Sequence, residues 1–245
     1  MNRDEQRTPR LVVARALELQ RAGQFDAAAA LLRAALEHDP QLPEAAYRLG
    51  LLCYHLGDLA EAVALLGRAV ELDPASVEAW RNLGNLCGES GALERAAECF
   101  RRLLQLRPTD IPARGNLAML LEQAGRIDEA LRELREIQRI APAEAAGLNL
   151  LARLLGKHGQ HEEQVTVTRE LLRLRPGDGS ARRALSRAYR LWFESVEQDR
   201  DEALRVLTEW TTFDAADPVA RNLLAACSGR EAPSGAAGGE GEPTR

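Results

Sequence analysis

Five prolines, Pro40, Pro74, Pro108, Pro142 and Pro176, follow one another at intervals of 34 residues without a slip. Five glycines, Gly23, Gly57, Gly91, Gly125 and Gly159, keep the same interval, each 17 residues ahead of its proline. Both residue types interrupt regular backbone, so nothing longer than about a dozen residues can run unbroken between them. A fixed period in this range is the mark of an array in which one small unit stacks on its neighbours.

The content of a unit says what it is made of. In residues 77–110 the first half reads VEAWRNLGNLCGES, which puts Trp80, Leu83, Leu86 and Cys87 on one helical face. Gly91 ends that helix. The second half, ALERAAECFRRLLQL, aligns Leu93, Ala96, Phe100, Leu103 and Leu104. Pro108 stops it, because the ring removes a donor and pushes the preceding residue out of the helical region. The chain is rich in Ala, Leu, Arg and Glu, aromatics are only 4%, and Val/Ile/Thr runs are missing. Strong helix formers without strand segments predict an all-α chain.

These residues resemble the tetratricopeptide repeat family, whose pattern is W-x2-L-G-x2-Y, then A-x3-F, then a proline. The matching residues are Trp80, Leu83, Gly84, Ala96, Phe100 and Pro108, with Cys87 where the family has tyrosine. The preceding unit matches through Leu49, Gly50, Ala62, Leu66, Ala69 and Pro74, with Ala46 in place of the tryptophan. The resemblance implies an all-α, right-handed superhelical solenoid of antiparallel helix pairs, about six repeats with a capping helix. The units fall at 9–42, 43–76, 77–110, 111–144, 145–178 and, irregularly, 179–217, with a cap at 218–227. Pro218 arrives 42 residues after Pro176 because the sixth unit carries extra residues. The fifth is off pattern too, with Gln164 where a small residue is expected and His161 where an apolar one is. The glycine-loaded turn RPGDGS after it is the expected weak point of the stack. Residues 1–8 read as a flexible N-terminus. Residues 228–245, without a large apolar side chain, read as a disordered tail or a truncated linker.

Several functions find no support. A formal charge of -5 does not suit a nucleic-acid binder, and no apolar run approaches a membrane span or a signal segment. A cytoplasmic location is the default. Cys53, Cys87, Cys99 and Cys227 lack metal-ligand spacing and read as small core residues in a reducing compartment. His158 and His161 flank the Gly159 turn with no carboxylate or thiol arranged beside them. No phosphate-binding loop is present. The expectation is a chain without catalytic residues, cofactor or metal.

The residues that remain are polar and recur in register. The resemblance implies that the first helices of the repeats line a concave groove. Asn82 and Asn116 are then equivalent groove positions, with Arg48 in the same slot one repeat earlier and Arg81 and Asn85 beside Asn82. Such amides can hold the backbone of an extended peptide. Arg48 and Arg81 favour a partner with acidic residues. The set is similar to the family's asparagine ladder and to its carboxylate clamp for chaperone tails, but Leu150 and Ala146 stand where the clamp needs basic residues. A secondary basic patch comprises Arg182, Arg183, Arg187 and Arg190, with Tyr189 expected in the core. The function expected is a protein-binding scaffold with a protein or peptide partner, not nucleic acid or membrane. Two alternatives stand beside it. One is the repeat region of a bacterial transferase, since DPVARNLLAACSGREAPS resembles the junction ahead of S-adenosylmethionine-dependent methyltransferase domains. The other is an assembly or secretion chaperone.

Overall fold

The computed structural model describes residues 3–229, with side chains from Leu11 onward. Among the described residues the chain forms thirteen helices and no strand. They are α1 (Arg3–Arg21), α2 (Phe25–His38), α3 (Pro43–His55), α4 (Leu59–Leu72), α5 (Val77–Glu89), α6 (Leu93–Leu106) and α7 (Ile111–Gln123). Then follow α8 (Ile127–Ile140), α9 (Ala145–Lys157), α10 (His161–Leu174), α11 (Gly179–Val196), α12 (Arg200–Phe213) and α13 (Pro218–Ser228). Helix α1 begins at Arg3, ahead of the boundary expected at residue 9. The tail lies outside the described residues from position 230 on.

Each register glycine has one local task. Gly23, Gly57, Gly91, Gly125 and Gly159 adopt φ between 74° and 88°, the left-handed region a side chain disfavours. After α5, the Gly91 N–H bonds back to the Gly88 carbonyl at 3.0 Å and the Ala92 N–H to the Cys87 carbonyl at 2.8 Å. That pair of bonds satisfies helix-end carbonyls and reverses the chain into α6. After each proline a polar residue starts the next odd-numbered helix: Ser76 accepts from the Ala79 N–H, Asp110 from Ala113, and Asp178 from Ala181.

The chain divides into two compact units, Met1–Pro142 and Ala143–Arg245. In the first, α1 to α8 pack as four successive hairpins, and each hairpin also packs on the next through α2 and α3, α4 and α5, and α6 and α7. Small residues let the paired helices approach. A Cβ added at Gly84 would lie 3.0 Å from the Phe100 ring and 3.2 Å from the Cys99 Cβ. Leu83, Leu86, Cys87, Ala96, Phe100 and Leu103 are all buried as the periodicity demands. Trp80 is half-buried and donates its indole N–H to the Pro74 carbonyl at 3.0 Å.

In the second unit α9 packs on α10, α10 on α11, α11 on α12 and α12 on α13. The expected break at the glycine-rich turn does not occur, since α10 and α11 pack together across it. The division falls one repeat earlier, after Pro142. The extra residues of the sixth repeat go into α11, which has 18 residues against 13 in α9. Tyr189 and Trp210 fill the core there with their rings 6.2 Å apart. Helix α13 buries only Ala220, as a terminal half-repeat must.

Candidate functional site

In the first unit the open faces of α3, α5 and α7 carry the polar residues singled out by their period. The structure joins them in pairs. Asn82 donates to the Tyr47 hydroxyl at 2.9 Å, linking α5 to α3. Asn116 donates to Asn85 Oδ1 at 3.4 Å, linking α7 to α5. Asn82 and Asn116 are half-buried and Asn85 is exposed. Burial pushes the Tyr47 phenol up, against the opposing pull of Arg48 and the Asn82 bond.

The two arginines of this face are already engaged. Arg48 pairs with Glu44 one turn earlier on its own helix at 2.6 Å, and its guanidinium lies 5.5 Å from the centre of the Tyr47 ring. The roughly 330 Å³ cavity it borders is also lined by Glu44, Asp73 and Glu78, so the surroundings of Arg48 are acidic. Arg81 reaches Asp110, the cap of α7, at 2.6 Å. Sequence periodicity did not single out Tyr47, Tyr54 or Glu89. Tyr54 donates its hydroxyl to Glu89 at 2.9 Å beside Asn82 and Asn85. No register signal could have marked Tyr47 or Tyr54, because Arg81 and Gly88 take their places one repeat on.

In the second unit the basic patch divides. The Arg182 guanidinium lies 5.7 Å from the centre of the Phe213 ring, against α12. Arg183 and Arg187 line a cleft between α11 and α9. Arg190 is exposed. Tyr189 and Trp192 are buried with relative exposures of 0% and 5%, so neither ring offers a face on which a nucleobase could stack. His161 opens α10 with its Nδ1 3.4 Å from Gln164 Oε1, and His158 caps α9. Among the described residues no group of His, Cys, Asp or Glu is placed to hold a metal ion. No helix among them is long and apolar enough to cross a membrane.

An array of two-helix repeats, with its small residues between helices and its amides on the odd-numbered ones, defines a helical-repeat interaction scaffold. The tetratricopeptide repeat profile matches residues 19–87 and 89–154, and the chain belongs to that family. It matches no curated protein. Among solved structures, a crystal structure of MamA superposes with a TM-score of 0.62 at 21% identity, over 71% of this chain and 94% of that one. A tetratricopeptide repeat protein from Parabacteroides merdae gives 0.62 at 16% identity, over 91% and 99%. YrrB, a tetratricopeptide repeat protein with an unusual peptide-binding site, gives 0.54 at 17% identity, over 78% and 96%. At these identities the likenesses show the fold.

Proposed function

We propose that this chain holds a segment of another protein along the open faces of α3, α5 and α7. The observation that carries the reading is the amide row. Asn82 and Asn116 each spend one donor on a neighbouring repeat, and Asn85 spends one acceptor. Every one of these amides keeps further bonding capacity for a peptide backbone. Their mutual bonds hold the row in place before a ligand arrives, which lowers the ordering cost of binding. Arg48 flanks the row, while Arg81, tied to Asp110, holds α5 against the start of α7. The peptide-binding site of YrrB, a protein of the same fold, supports the reading by analogy.

The test compares partner binding by the wild-type chain and the Asn82→Ala/Asn116→Ala variant, with helical content and melting followed in parallel. Losing two to four hydrogen bonds at about 0.5–1.5 kcal/mol each weakens binding roughly ten-fold or more. A folded variant that keeps every partner at unchanged affinity overturns the reading.

A further inference from the structure

The second unit presents a face of different chemistry. A cleft of about 530 Å³ runs between α9 and α11, with Asn149, Arg153 and Lys157 on one wall and Ser180, Arg183 and Arg187 on the other. Four cations line it, and no aspartate or glutamate is among its lining residues. This concentration of positive charge sits in a chain whose formal charge is -5.

The repeat register shows how the change arises. Asn85, Met119, Arg153 and Arg187 occupy one position in four successive repeats, and Glu89, Gln123 and Lys157 occupy another. The same stripe is neutral or acidic on α5 and α7 and becomes basic on α9. Residues 149, 153 and 157 stand four apart, as do 183 and 187, so each wall rises by about 6 Å per step along its helix. An extended peptide shows side chains on one side every second residue, about 6.6 Å apart. The two spacings agree. Guanidinium groups from both walls can then meet successive carboxylates in charge-assisted, forked hydrogen bonds. The Gln164 amide also lines the cleft. It folds against Gly156, where an added Cβ would come within 2.4 Å of its Nε2. It supplies a donor and an acceptor to a peptide backbone.

We propose that the cleft between α9 and α11 binds an acidic, extended segment of a partner protein, with carboxylates at alternate residues. The inference rests on the reading of the open face as a binding face, and places recognition of charge in the second unit. A nucleic-acid strand is the poorer occupant, because the aromatic rings of α11 are buried.

The test uses the full chain and a rhodamine-labelled peptide of four Glu-Ala repeats, followed by fluorescence anisotropy. Saturable binding is expected, at least ten-fold tighter than for a Gln-Ala peptide of equal length. Arg153→Glu/Arg187→Glu should weaken it at least ten-fold, while Asn82→Ala/Asn116→Ala leaves it unchanged. Should the charge-reversed variant lose its helical melt, Arg153→Gln/Arg187→Gln takes its place. Absence of binding, equal binding by the charge variant, or tighter binding of an oligouridine of matched charge overturns the proposal. Because the amide variant is assayed separately against protein partners, failure here leaves the amide-row reading standing, and the reverse holds.

Discussion

Arg81 on α5 and Asp110 at the start of α7 meet through a carboxylate that serves two partners. Asp110 Oδ2 accepts from Arg81 Nη2 at 2.6 Å, and Oδ1 accepts from the Ala113 N–H at 2.9 Å. One side chain therefore caps a helix and ties it to the preceding repeat. Asp110→Ala removes a cap worth about 1 kcal/mol and strips Arg81 of its charged partner, for a total loss of about 2–3 kcal/mol. Arg81→Ala should cost less, because the cap survives. Urea unfolding of both variants against wild type checks the order. Equal losses would mean that the cap contributes nothing.

The same carboxylate makes stability depend on pH. Burial pulls the Asp110 pKa up, but the bonds from Arg81 and from the Ala113 N–H outweigh it and leave the group below the usual carboxylate range. The unfolded chain then binds a proton more readily than the folded one. Its contribution is fully present above the unfolded carboxylate value and is lost as pH falls through the folded one. Between about pH 5 and pH 3, Asp110→Asn should flatten the decline in unfolding free energy seen for wild type. Parallel declines for the two proteins would remove Asp110 from the account.

Gly84 and Phe100 fit one another as a pair. Ala118 and Ala152 stand at the position of Gly84 in later repeats, opposite Leu134 and Thr168 where this repeat has Phe100. Alanine at Gly84 would press on the ring, at a cost of about 1–3 kcal/mol despite its better helix propensity. Phe100→Leu made together with Gly84→Ala should cost less than the sum of the single changes. Thermal unfolding of the double-mutant cycle measures the coupling, and strict additivity would show that the ring yields freely.

Three thiols are sealed and one is accessible. Cys53, Cys87 and Cys99 are buried, while Cys227 on α13 is half-buried. Burial, with the Glu61 carboxylate beside it, pushes the Cys53 thiol to about 11, and burial pushes Cys99 to about 12. The thiolate is the reactive form, so these groups stay inert near neutral pH. Alkylation of the folded chain at pH 8 should modify Cys227 alone, with the other three following only in denaturant. Mass spectrometry locates the label, and rapid modification of Cys53 would contradict the packing of α3.

The period of proline and glycine was enough to place the helices and the turns between them. Backbone breaks are local events, and each of the five register glycines needed nothing beyond its own turn to require positive φ. The apolar stripes of α5 and α6 were equally legible, because burial follows the helical repeat. The partners of polar side chains were not. Arg81 and Asp110 lie 29 residues apart and Asn82 and Tyr47 lie 35 apart, so their meeting depends on how neighbouring hairpins stack and which rotamers reach across. Nor does a run of arginines say where each one points. Successive residues on a helix turn by about 100°, which sends Arg182 to the Phe213 ring and Arg183 into the cleft. Nothing in the linear pattern brings Arg153 and Lys157 opposite Arg183 and Arg187. The packing of α10 on both α9 and α11 does that, and with it creates the basic cleft.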